Sequence, residues 1–201
     1  MFWLLDLDYT IFTWINGLAG KNSLLDTVMK TFCNDHLVPF TLGFMLVIMV
    51  LHGRNRLQDR SNLSAVVRVF VAVAVSSVIL QLVVTLVHRP RPFIDHEVNL
   101  LFYRPTDWSF PSNPATATFT FFFSAWFSDH RFGWWFLPPA LLMSFARIYC
   151  GVHYPGDVLT GVLIAAASAY LVYRVDILSR PLVAIANALE SRIRSSLSVR
   201  E

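Results

Sequence analysis

Five apolar stretches dominate the chain, from about His36 to Leu51, Leu63 to Val87, Thr116 to Phe127, Phe132 to Ile148 and Val158 to Tyr173. A hydrocarbon core roughly 30 Å thick asks for about 20 apolar residues per helix, and several of these stretches come close to that length. The third is short, but it can extend through Pro114 at one end and Asp129 at the other. The pattern predicts an all-α, multi-pass transmembrane helical bundle with five to six membrane helices. Composition agrees, since 55% hydrophobic against 14% charged residues is too apolar for a soluble domain of ordinary make-up. Pro138 and Pro139 fall inside the fourth stretch, which is expected as one kinked helix because neighbouring helices can satisfy the freed carbonyls.

The flanks differ from the spans. Residues 1–34 alternate between apolar and polar positions, break at Gly17 to Gly20, and resume with Leu24, Leu25, Val28, Met29 and Phe32 at helical spacing. These pieces are expected at the interface or against the bundle. The start carries Asp6 and Asp8 and lacks a basic leader, so it does not read as a cleaved signal peptide. Beyond Arg180 the chain is again amphipathic, with Leu182, Ile185, Leu189 and Ile193 opposite Arg192, Arg194 and Arg200, and is expected on the membrane surface. Arg54, Arg56, Arg60, Arg131, Arg174 and Arg180 fall in alternate loops, which the positive-inside rule assigns to the cytoplasm. The second and fourth linkers then face outward, with the acidic N-terminal segment. No repeat or low-complexity linker divides the chain, so residues 1–201 read as a single integral-membrane domain.

Several function classes are excluded on the way. Net charge is +3, but the arginines sit in short loops and make no basic stripe interleaved with aromatics, so nucleic acid is not an expected partner. Cys33 and Cys150 have no ligand spacing for zinc and no disulfide framework, and read as packing residues. The Phe119 to Phe123 run and Trp126, Trp134 and Trp135 read as bundle packing and aromatic belt.

The polar residues that remain concentrate in the two outward linkers. The second holds His88-Arg89-Pro90-Arg91-Pro92-Phe93 and then Ser109-Phe110-Pro111-Ser112-Asn113-Pro114; the fourth runs from Arg147 to His153-Tyr154-Pro155-Gly156-Asp157. A planar guanidinium binds phosphate oxygens in pairs and stays charged, so Arg91 and Arg147 suit a phosphoryl clamp. Ser112, Asn113 and the free NH groups at a helix start add donors. A neutral imidazole at His153 can attack phosphorus, while Asp157, four residues on, is placed to hold the other ring nitrogen. His88 and His96 share the catalytic linker and read as solvated side chains, as do Arg104 and Asp107 as a loop pair. Asn113 can also serve as a helix cap.

Arg-Pro, then Pro-Ser-x, then Arg with His six positions later and Asp four beyond that, resembles the three-part signature of the type 2 phosphatidic acid phosphatase superfamily. Within it the chain is similar to bacitracin-resistance-type undecaprenyl diphosphate phosphatases, from about Phe12-Thr13-Trp14-Ile15-Asn16-Gly17-Leu18 through Asn22-Ser23-Leu24-Leu25-Asp26 to Leu178-Ser179-Arg180-Pro181. The resemblance implies an antiparallel bundle in the bacterial cytoplasmic membrane and hydrolysis of undecaprenyl diphosphate at the outer face through a phosphohistidine. It implies no metal or other cofactor, a polyprenyl diphosphate and membrane lipids as partners, and a role in recycling the cell-wall carrier.

Two positions depart from that signature. The lysine expected before Arg91 falls at Val84, a loss that Arg89 could partly offset. More consequentially, the general-acid histidine is replaced by Pro114, which has no proton to give but suits the first turn of a helix. A phosphomonoester leaves as an alkoxide and needs that proton, whereas a diphosphate leaves as a phosphomonoester whose second pKa is about 6 by analogy with phosphoserine. The expectation is therefore a diphosphatase with reduced or altered turnover; the alternatives are a lipid-phosphate-binding pseudoenzyme or a phosphotransferase on another lipid phosphate.

Overall fold

The computed structural model describes residues 2–54, 61–175 and 179–188, and every regular element among them is helical. In chain order these are α1 (Phe2–Asn16), α2 (Ser23–Cys33), α3 (Leu37–Arg54), α4 (Ser61–Leu86), the short α5 (Pro92–Asp95), α6 (Asn113–Ser128), α7 (His130–Gly133), α8 (Leu137–Tyr149) and α9 (Pro155–Arg174). A 3-10 turn, Trp134–Phe136, joins α7 to α8. Residues 180–188 are helical too. Leu182 and Ile185 are exposed there, while Leu189, Arg192, Ile193, Arg194 and Arg200 lie outside the described residues, as do Arg56 and Arg60.

By length and composition, Ser64–Leu86 and Pro155–Arg174 are each able to cross a membrane, and α2 with the first part of α3, bent by 62° at the break between them, makes a third candidate. The five sequence stretches thus become two or three full-length spans among the described residues. The difference lies in helix length: α6 has 16 residues and α8 only 13, about 24 Å and 20 Å of rise. The fourth stretch is not one kinked helix. Its break falls at the 3-10 turn, and Pro138 and Pro139 occupy the first turn of α8, where a missing NH costs no intrahelical bond.

The outer surface is apolar. Phe40, Phe44, Val78, Leu82, Leu86, Leu159 and Leu163 are all more than half exposed, while the same helices bury Leu42, Leu46, Val69, Ala72, Ala165 and Ser168 on their inner faces. A contiguous apolar exterior of this kind is what lipid contact requires. The central packing is α6 against α4 and α9, where Ala115, Thr116, Thr120, Ser124, Ala165, Ser168 and Ala169 are buried. Thr116 and Thr120 donate back to carbonyls four residues earlier, at 2.9 and 2.7 Å. Small side chains let these helices approach closely without a hydrophobic driving force. Phe119 and Phe122 pack inside that layer with Val38, Leu42, Phe136 and Met143, as the packing reading expected. Cys33 and Cys150 are free and buried in a second cluster with Phe12, Tyr149 and Tyr154.

Gly161 marks the tightest crossing. A Cβ there would lie 2.8 Å from the Ser112 carbonyl oxygen and 2.9 Å from Thr116 Oγ1, so α9 can approach the start of α6 only because position 161 has no side chain. Gly161→Val is expected to overpack this crossing at a cost of about 1–3 kcal/mol and to displace Ser112. Thermal unfolding in detergent, read beside ligand-dependent stabilisation, checks both effects.

Candidate active site

The second and fourth linkers meet at one end of α4, α6, α8 and α9. Ser112 caps α6, and its backbone NH donates to the Asp157 carbonyl at 3.0 Å, which ties the start of α6 to the first turn of α9. The Ser109 NH donates to the Arg89 carbonyl at 2.9 Å. The chain then leaves α8 through Gly151, whose φ of 82° is a left-handed turn that favours glycine. Asn16 on α1 secures that exit, donating to the Tyr149 carbonyl at 2.9 Å while exchanging hydrogen bonds with Asn99.

His153 is buried, with 1% of its surface exposed. Its Nδ1 lies 2.9 Å from the Ser109 carbonyl oxygen. A carbonyl can only accept, so Nδ1 carries the proton and Nε2 keeps its lone pair. Nε2 faces Arg91, 3.2 Å from Nη1. Asp157 Oδ2 is 3.7 Å from Nδ1, an ion-pair distance and not the ring's hydrogen bond. The expected carboxylate partner of the ring therefore stands one step back, and the Ser109 carbonyl holds the tautomer. Burial keeps the His153 pKa below its ordinary value; Asp157 pulls it up, and Arg91 and Arg147 press it down.

Asp157 is fully buried and serves as a junction. Oδ2 accepts from Ser109 Oγ at 2.5 Å and from the Tyr154 NH at 2.8 Å, and Oδ1 accepts from Arg89 Nη1 at 2.9 Å. Arg89 also donates to Asp8 at 2.7 Å and stacks on the Tyr154 ring at 3.8 Å. With its charge shared between two carboxylates, Arg89 does not replace the missing clamp lysine.

Arg91 and Arg147 are both buried, at 5% and 2% exposure. Arg91 donates to the Val152 carbonyl and to the carbonyl and carboxylate of Asp107, at 2.8 to 2.9 Å. Asp107 is thus its counter-ion and not a partner of Arg104, which lies over the Phe93 ring. Arg147 pairs with Asp35 and packs over the Phe102 ring at 5.0 Å. Asp35 in turn accepts from the Tyr103 hydroxyl at 2.6 Å. The Arg147 Nε and the Ser112 Oγ are buried without a hydrogen-bond partner. Unsatisfied polar atoms of this kind are costly in a protein interior; the Ser124, Ser144 and Ser168 hydroxyls share that condition inside the bundle.

Asn113 is the exposed first residue of α6 and not its cap, and Pro114 follows it, half-buried, in the first turn. The helix starts cleanly, so the proline is compatible with the fold. The ring of His88 packs edge-on to Trp108, and that of His96 packs against Tyr9 and Tyr154.

Residues 65–179 match the PAP2 superfamily. The chain belongs to that superfamily. It is 30% identical over 179 residues to undecaprenyl-diphosphatase BcrC of Bacillus subtilis (strain 168), covering 88% of each chain. It is 32% identical over 176 residues to the putative undecaprenyl-diphosphatase YbjG of Escherichia coli (strain K12), covering 84% of each. The fold is similar to the crystal structure of Aquifex aeolicus LpxE, with a TM-score of 0.64 and 27% identity over 82% of this chain and 93% of that one. Arg91, Ser112, Arg147, His153 and Asp157 all fall within the matched residues 65–179.

The structure brings Arg91, Arg147 and Asp157 around His153 and ties Ser112 to Asp157 through the backbone, whereas sequence reasoning passed over Ser109, Asp8, Asp35 and Asp107 as neighbours of these residues. A charge argument was available: each buried arginine needs a counter-ion, and aspartates stood in the neighbouring segments. The pH consequence follows from His153. Its folded pKa is below the unfolded value of about 6.5, so the unfolded state takes up the proton first. The stabilising contribution is complete above that pH and is lost as pH falls below it. Melting temperatures measured from pH 7.5 to 5 are expected to drop more steeply for the natural chain than for His153→Gln.

Proposed function

We propose that this PAP2 chain hydrolyses undecaprenyl diphosphate to undecaprenyl phosphate and phosphate, at the outer face of a bacterial cytoplasmic membrane. The observation that carries the reading is the His153 tautomer: a lone pair on Nε2, held by the Ser109 carbonyl at Nδ1, beside two buried arginines and an unpartnered serine hydroxyl. The names of the bacterial relatives support the substrate class.

The chemistry is a double displacement. His153 Nε2 attacks the terminal phosphorus; the new N–P bond forms as the bond to the bridging oxygen breaks, and that oxygen leaves with its electron pair on undecaprenyl phosphate. Positive charge on the phosphorylated ring is balanced by the Ser109 carbonyl and the Asp157 carboxylate. Arg91, Arg147 and Ser112 stabilise the equatorial oxygens, the main task in phosphoryl transfer. Water then attacks the phosphorus; an O–P bond forms as the N–P bond breaks, the electron pair returns to Nε2, and the water's two protons leave with the released dihydrogen phosphate. Pro114 gives no proton, and the leaving phosphate, with a second pKa of about 6, needs none.

Five crossings fit this reading, with α6 and the 130–149 segment completing the bundle around Ser64–Leu86 and Pro155–Arg174, the loops of Arg54, Arg131 and Arg174 toward the cytoplasm and the second and fourth linkers outward. Drug resistance by faster recycling of the carrier would follow from the same activity. Phosphate release from undecaprenyl diphosphate is expected to fall at least ~1,000-fold in His153→Ala. Pro114→His is expected to leave diphosphate turnover within about threefold while raising turnover of a lipid phosphomonoester about 100-fold. Binding without release by both the natural chain and Pro114→His would replace the enzyme with a lipid-phosphate carrier, and a phosphorylated acceptor lipid would make it a phosphotransferase.

A further inference from the structure

Arg89 lies outside the phosphate clamp, yet both branches of its guanidinium are held by carboxylates. One branch of its fork, Nη1, donates to Asp157 Oδ1 at 2.9 Å, and the other, Nη2, donates to Asp8 Oδ2 at 2.7 Å. Its face lies 3.8 Å from the centre of the Tyr154 ring. Asp8 comes from α1, outside residues 65–179, and its second oxygen accepts from the Gly156 NH at 2.7 Å. The approach is tight: a Cβ on Gly156 would be 3.0 Å from Asp8 Oδ2, so the carboxylate would have to shift to admit one. Asp8 therefore grips both the N-terminus of α9 and the cation bound to Asp157. Only a bidentate fork can serve two carboxylates in this way, which lysine cannot reproduce.

We infer that Arg89 and Asp8 are positioning residues for the phosphatase reaction, holding the Asp157 carboxylate by a shared ion pair so that His153 stays neutral and correctly turned; this rests on the hydrolytic reading above. The charged and titratable groups facing His153 are Arg91 from the second linker, Arg147 from α8 and Asp157 from α9. Behind them stand Asp107 on Arg91, Asp35 on Arg147, and Arg89 with Asp8 on Asp157. Without Arg89, the full negative charge of Asp157 would act on the ring 3.7 Å away and favour the imidazolium, which has no lone pair for phosphorus. Arg89 thus acts through Asp157, not on the substrate.

The test compares the full-length chain with Arg89→Met, Arg89→Lys, Asp8→Asn and the Asp8→Asn/Arg89→Met pair in detergent micelles. Two quantities are read: phosphate release from undecaprenyl diphosphate, and the His153 titration midpoint by NMR of histidine-labelled protein, assigned with His153→Gln. Arg89→Met is expected to lower kcat at least tenfold with KM within threefold, and to raise the midpoint by about one pH unit. Arg89→Lys should return the midpoint toward that of the natural chain while recovering only part of kcat. The double variant should fall no further than Arg89→Met, since both changes break one ion-pair unit. Should Arg89→Met not fold, Arg89→Gln keeps a donor without the charge and must move the midpoint the same way.

An unmoved midpoint, a loss expressed in KM alone, or additive losses from Asp8 and Arg89 would overturn the assignment. If the natural chain releases no phosphate, the hydrolytic reading fails by itself. The midpoint then still decides whether Arg89 controls the charge of His153.

Discussion

A fully buried carboxylate must be matched by donors, and Asp157 draws its own from two separate parts of the chain, with a third behind them. Ser109 and Arg89 come from the second linker, the Tyr154 NH from the turn before α9, and the Asp8 contact to Arg89 brings in α1. An unpaired buried charge costs several kcal/mol, so these contacts stand or fall together. The nucleophile depends on that junction. Ser109 offers its hydroxyl to Asp157 and its carbonyl to His153, so one residue fixes the carboxylate and the ring tautomer at once.

The helical frame serves the junction by close approach. Gly161 lets α9 meet the start of α6, the Ser112 NH seals that crossing to the Asp157 carbonyl, and the Ser112 hydroxyl is buried without a partner. Around it the α4–α6–α9 contact is lined by small and hydroxyl side chains, with Phe119, Phe122, Phe136 and Met143 buried beside them and other large apolar side chains facing outward. The small side chains let the helices close on one another and carry the two linkers to one end.

Much of the site could be read from residue types and spacing. Arginine, serine and histidine chemistry is local in meaning: a guanidinium binds phosphate oxygens wherever it is placed, and the His153 to Asp157 spacing runs from the residue before the α9 cap into the first turn of that helix. Counter-ion choice is different. Asp8, Asp35 and Asp107 are ordinary surface aspartates in the sequence, and their pairing with Arg89, Arg147 and Arg91 depends on loop paths spanning up to 112 residues. The carbonyl that holds His153 was invisible for the same reason, since every residue has one.

The amino-acid sequence alone determined an all-helical membrane chain, its PAP2 motifs, and the departure at Pro114, because apolar run length and motif spacing are properties of the chain itself. Tertiary structure decided helix extents within those runs, the start of α8 at Leu137, the pairing of each arginine, and which nitrogen of His153 keeps its lone pair. These depend on which backbone carbonyls and carboxylates converge in space, and convergence is settled only when the helices pack.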